Sequence, residues 1–137
     1  MKQKIIILLG LMFLSGYVFS AMAQQRGKTL IVYFSESGNT RNMATIIREQ
    51  TGADLVEIEM QNPYSDNYST LLDEAERDLL ANARPTLRTL IENMDEYDTV
   101  FVGYPNWYAI LPMPVYTFLE SYNFDGKRII PFCSHGH

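Results

Sequence analysis

The stretch Thr29-Leu30-Ile31-Val32-Tyr33-Phe34-Ser35-Glu36-Ser37-Gly38-Asn39-Thr40 passes without a break from an apolar run into a cluster of hydroxyls, an amide and a glycine. Thr29 to Phe34 is rich in β-branched and aromatic residues, the pattern of a strand buried on both faces. Downstream, Met43, Ile46 and Ile47 recur at i, i+3, i+4, and Gly52 supplies a helix stop signal. The segment therefore reads strand, loop, helix, and its loop is the first candidate site.

Working outward, Leu55 to Met60 alternates Val56, Ile58 and Met60 against two glutamates, as expected of a strand at a sheet edge with one face in water. A polar loop, Asn62 to Asn67, follows. Thr70 is placed to cap a helix running through Leu72, Ala75 and Leu79 toward Arg84-Pro85, where proline disfavours continuation. Leu87, Leu90, Ile91 and Met94 then predict a second short helix. Thr99 to Tyr104 is another fully apolar strand. After the loop PNWYAILPMP, Val115, Phe118, Leu119 and Tyr122 share a helix face, with Pro112 or Pro114 suited to the first turn. Arg128 to Cys133 reads as a fourth strand after the turn signal Asp125-Gly126, with Pro131 easiest to place at an edge. Strands alternating with helices imply a parallel sheet with helices on its faces.

At 137 residues and 47% hydrophobic content the chain fits one globular core. Residues 1–23 stand apart from it. Lys2 and Lys4 precede an apolar run from Ile5 to Leu14, and Ala21-Met22-Ala23 is a small-x-small cleavage pattern. This predicts a signal peptide at 1–23 and a domain at 24–137, hence a periplasmic or secreted protein with no membrane contact after cleavage. An uncleaved anchor is the other reading, since Ile5 to Ala23 approaches the roughly 20 residues that span a bilayer. Without the two leader lysines, nine cationic residues face 16 acidic ones, a formal charge of −7. Such a surface argues against nucleic acid and for basic protein partners. Cys133 is the only cysteine, so no internal disulfide forms, and burial as an inert thiol is the expected state.

In a parallel sheet of this kind, ligands bind at the carboxyl ends of the strands. Three loops end there. Ser35 to Thr40 offers hydroxyls, the Asn39 amide and Gly38 just before a helix N-terminus, which suits a phosphate; an ordinary turn and cap uses the same residues. There is no lysine for a nucleotide triphosphate loop and no dinucleotide fingerprint. The second loop carries Trp107 and Tyr108, either capping the core or stacking on a flat ring. The third, Ser134 to His137, contains His135 and His137 at i, i+2 without further ligands at metal spacing, so no metal site is assigned.

Ser35-x-Ser37-Gly38-Asn39-Thr40 after a first strand resembles the FMN phosphate loop of flavodoxins, and VGYPNWYAILPMPVYTFLE is similar to the corresponding flavodoxin-like segment before a proline-containing helix. The resemblance runs from Lys28 to the end. It implies a flavodoxin-like, doubly wound parallel α/β sheet, with FMN as cofactor. The cofactor residues it implies are Ser35, Glu36, Ser37, Gly38, Asn39 and Thr40 for the phosphate, and Pro105, Asn106, Trp107 and Tyr108 for the ring. Ser134, His135 and Gly136 supply the third loop. Family members continue with a fifth strand and closing helices, whereas this sequence stops at His137, so the expected strand order is 2-1-3-4. The implied function is a redox protein, either an electron carrier docking with a basic partner or an NAD(P)H-linked enzyme reducing a quinone-like acceptor. A fold remnant or partner-binding module that holds no flavin is the alternative.

Overall fold

The computed structural model describes residues 27–136; the leader predicted at 1–23 and His137 lie outside the described residues. β1 (Lys28–Tyr33) leads through the first loop into α1 (Asn39–Thr51), then β2 (Asp54–Glu57), α2 (Tyr68–Leu80), β3 (Tyr97–Pro105), α3 (Met113–Ser121) and β4 (Arg128–Ser134). All three pairings are parallel and the order is β2-β1-β3-β4. The order expected from the flavodoxin-like pattern is the order found.

The strands alternate between two apolar layers, as a pleat of period two requires. Leu30, Val32, Phe34, Val100 and Val102 face the layer holding Leu71 of α2 and Val115 and Phe118 of α3. Ile31 and Tyr33 face the other way, against Ala44 of α1, with Ile47, Phe101 and Phe132 alongside. The Phe132 ring lies on Gly103, its neighbour in register: a Cβ there would sit 2.1 Å from ring atom Cζ. Glycine at this point lets β4 close onto β3.

Several elements differ from the sequence reading. The predicted helix at 87–94 does not form. Pro85 and the β-branched Thr86 and Thr89 weaken it, and the segment instead runs beside the end of β2. There Gln61 N–H donates to Thr86 O (2.8 Å), Arg88 N–H to Glu59 O (2.7 Å), and Met60 bridges Leu87. Only a 3-10 turn remains, at Met94–Glu96, and Leu90 is 72% exposed. β2 stops at Glu57 rather than Met60, although Ile58 and Met60 are buried.

The α2 cap is Asn67, whose Oδ1 accepts from Thr70 N–H (3.1 Å); Thr70 is its recipient, not the cap. α2 buries Leu71 and Ala75 while Leu72 is exposed. α1 is centred on buried Ala44, and Ile46 points to solvent. Pro114 occupies the first turn of α3 as expected. Before β4, the Lys127 ammonium donates to the carbonyls of Met94 (2.9 Å) and Tyr97 (2.7 Å). Among the described residues no helix is long and apolar enough to cross a membrane.

Candidate functional site

Because β1, β3 and β4 run parallel, the loops after them gather at one edge of the sheet. Gly38 opens α1 in the left-handed region (φ 89°), where a side chain would be strained. Ser35 Oγ accepts the N–H of Arg41 (3.2 Å), and Gly38 O accepts that of Asn42 (2.9 Å). Neither uses the N–H groups of Gly38, Asn39 and Thr40, which have no protein acceptor among the described residues. Such donors at the positive end of a helix suit an anion. Arg41 adds no free charge, since its guanidinium grips both carboxylate oxygens of Glu57 (2.7 and 3.2 Å). Tyr33 OH donates to the same carboxylate (3.0 Å).

Thr40 is 1% exposed, and its hydroxyl shares a 2.7 Å hydrogen bond with Ser134 Oγ. Ser134 O in turn accepts from Asn106 N–H (2.8 Å). One residue at the end of β4 thus ties the first loop to the second. Of the residues named from the sequence, Thr40 and Ser134 bond each other, Gly38 is the N-cap of α1, and Ser35 accepts the Arg41 N–H in its first turn. His135 and Gly136 are exposed beyond β4. His137 lies outside the described residues, so its pairing with His135 is not placed.

Glu36, Ser37, Pro105, Asn106, Trp107 and Tyr108 do meet, lining one cleft of about 470 Å³. Its remaining lining is Asp66, Tyr68, Leu71, Leu72 and Ala75. Sequence reasoning missed this α2 wall; Tyr68, an exposed aromatic directly after the Asn67 cap, was its available signal. Trp107 serves both readings weighed for it. Its ring packs edge-on against Phe34 (5.6 Å between centroids) and tilted against Tyr64 (5.8 Å), and it also lines the cleft.

Trp107 and Ile110 exchange backbone hydrogen bonds (3.3 and 3.0 Å) around Tyr108 and Ala109, both at positive φ (52° and 63°). This tight turn carries the Tyr108 hydroxyl to Leu72 O on α2 (3.2 Å). At the cleft, desolvation first, then the charges of Asp66 and Glu57, hold the Glu36 carboxyl above its usual range. Cys133 is exposed rather than buried, because it sits on β4, an edge strand of the described sheet.

The family profile of flavodoxin matches residues 28–137. The chain belongs to the flavodoxin family. Among solved structures, the chain is similar to a candidate flavoprotein of Bacteroides eggerthii DSM 20697, with TM-score 0.75 and 30% identity over 81% of this chain and 72% of that one. A candidate flavoprotein of Bacteroides uniformis ATCC 8492 gives TM-score 0.75 and 31% identity over 82% and 75% of the two chains. The fold is also that of a flavoprotein of Lactobacillus acidophilus NCFM solved in complex with FMN, at TM-score 0.65 and 21% identity over 80% and 93%. No curated protein matches the chain.

Proposed function

We propose that this member of the family binds FMN and works as a redox protein, passing electrons to a protein partner or from NAD(P)H to a small acceptor such as a quinone. The observation that carries the reading is the convergence of open N–H donors at the start of α1 with an aromatic wall at Trp107 and Tyr108, joined through Ser37 and Asn106. The donor set suits a phosphate monoester, held by the backbone N–H groups of Gly38, Asn39 and Thr40 and the side chains of Ser37 and Asn39. The aromatic wall suits a flat ring. FMN, when bound, supplies the electron-transfer chemistry itself.

The chain's own contribution is binding and electrostatics. Gly38 bends the backbone so that successive N–H groups are presented together, and Pro105 and Trp107 supply a surface that excludes water. Glu36 and Asp66 place negative charge beside that surface, which disfavours added negative charge there. The excess of acidic side chains, 16 against 11 basic, suits a basic redox partner. Export with removal of residues 1–23 is part of the same proposal, supported by the leader pattern alone; mass spectrometry of the purified protein then finds Gln24 at its N-terminus.

The test is reconstitution with FMN, desalting, and a scan for the visible flavin band with quenched flavin fluorescence. A protein that retains no flavin refutes the reading. With flavin retained, NADH or NADPH oxidation in the presence of a quinone separates enzyme from carrier.

A further inference from the structure

An arginine stands beside the open N–H groups of α1 and is held away from them. Arg41 lies in the first turn of α1, and side chains on a helix lean toward its N-terminus, here toward Ser37 to Thr40. Arginine is the side chain best suited to grip a phosphate with two N–H groups at once. Its Nε and Nη2 instead donate to the two carboxylate oxygens of Glu57 (3.2 and 2.7 Å). Glu57 ends β2 in register with Tyr33, so its carboxylate stands at the sheet edge from which the first loop leaves. Buried Tyr33 fixes that carboxylate by donating its hydroxyl to it (3.0 Å). The charge of Glu57 also reaches Glu36 in the loop, whose carboxyl it helps to hold above the ordinary range. The Arg41 side chain is 50% exposed and that of Glu57 25%, so the glutamate is the anchored partner and the arginine the one with room to swing.

We infer that Glu57 is a positioning residue for the phosphate site: by gripping Arg41 it keeps a cationic side chain off the start of α1, so that a phosphate is selected by directed backbone N–H groups rather than by net charge. That a phosphate binds there rests on the proposed function; the restraint on Arg41 rests on the geometry of the pair. A two-pronged ion pair cancels its own charge, so an anion at the start of α1 gains little from Arg41 while the pair holds. With the carboxylate removed, the guanidinium loses both of its acceptors and turns to a phosphate at the helix start. Glu57 thus sets how strongly the site favours a phosphorylated ligand over the same ligand without its phosphate.

The experiment titrates FMN and riboflavin, the same ring without the phosphate, into the full chain and into Glu57→Gln, Arg41→Ala and the double variant, following flavin fluorescence. Glutamine keeps an acceptor for the Tyr33 hydroxyl while removing the charge. The ratio of FMN to riboflavin affinity is read within each variant, so a change in stability common to both ligands cancels. Glu57→Gln is expected to raise that ratio about five- to tenfold, with the gain shrinking at about 1 M salt. Arg41→Ala is expected to leave the ratio within about twofold of the parent, and the double variant to lose the gain. A tenfold fall in the ratio in Arg41→Ala overturns the inference, because Arg41 would then already hold the phosphate. So does a gain in Glu57→Gln that survives in the double variant. If FMN is retained and Glu57→Gln gains nothing, the inference falls while the proposed function stands. If the parent retains no FMN, the proposed function falls, and urea midpoints of the flavin-free proteins in inorganic phosphate against chloride at equal ionic strength decide the inference. Phosphate is then expected to raise the midpoint of Glu57→Gln above that of the parent and of the double variant; equal shifts overturn it.

Discussion

Replacing Thr40 by valine separates holding the fold from holding a ligand. Valine keeps the shape of threonine but removes the hydroxyl that meets Ser134 Oγ at 2.7 Å, in a residue only 1% exposed. A net hydrogen bond contributes about 0.5–1.5 kcal/mol. Ser134 is half-buried, so its hydroxyl regains part of that from water, and the expected loss is about 1 kcal/mol. With a urea slope of roughly 2 kcal/mol per molar, the midpoint falls by about 0.5 M. The assay is urea unfolding followed by Trp107 fluorescence on Thr40→Val, Ser134→Ala and the double variant. The double variant is expected to lose little more than Thr40→Val alone, because both changes break the same bond. FMN affinity is expected to change by less than about twofold in Thr40→Val, against a loss of about tenfold in Ser37→Ala, whose side chain lines the cleft. Unchanged stability together with a tenfold loss of FMN affinity in Thr40→Val refutes the reasoning, since the hydroxyl would then serve the ligand and not the fold.

Three further outcomes are expected from the geometry. Gly103→Ala is expected to cost about 1–3 kcal/mol by displacing the Phe132 ring, and to be neutral or slightly stabilising in a Phe132→Ala background, where only the backbone effect remains; a four-variant urea cycle reads the difference. Ala109→Gly is expected to stabilise by about 1 kcal/mol, since Ala109 sits at φ 63°, and a melting curve checks it. Because the folded chain holds the Glu36 carboxyl above its ordinary 4.5, protonation favours folding and the charged form costs stability as pH rises through the raised value. Glu36→Gln is therefore expected to be more stable than the parent near about pH 7, the gap closing below about pH 4.5, as read from urea midpoints across pH.

The sheet was legible because β1 and β3 are buried on both faces, and nothing but a continuous apolar run survives there. Ser35 to Thr40 was legible as the loop between β1 and α1, because a glycine and short polar residues favour turns and helix starts. The segment 87–94 misled because Leu87, Ile91 and Met94 are all at least partly buried, and their spacing mimics a helix. Its backbone was instead claimed by Glu59 and Gln61, partners far away in sequence. Leu72 misled in the opposite sense: an apolar residue at helical spacing, it lines the cleft rather than the core. Four of the eleven residues lining that cleft come from α2, and no local motif marks residues that become neighbours of Trp107 only through the packing of α2 beside β3's loop.

β4 is fastened at both ends. Lys127 grips the carbonyls of Met94 and Tyr97 just before it begins, and Ser134 grips Thr40 where it finishes. A slip by one residue would turn Phe132 away from Gly103 and to the opposite layer, which the pleat alone forbids. A slip by two keeps every side chain on its proper side, and apolar contacts discriminate against it poorly. The two fastenings catch that error, because a displaced strand cannot satisfy an ammonium at its foot and a hydroxyl at its head. The strand therefore works as a ruler, and the distance it measures is the one that sets Asn106, and with it the aromatic wall, against the start of α1.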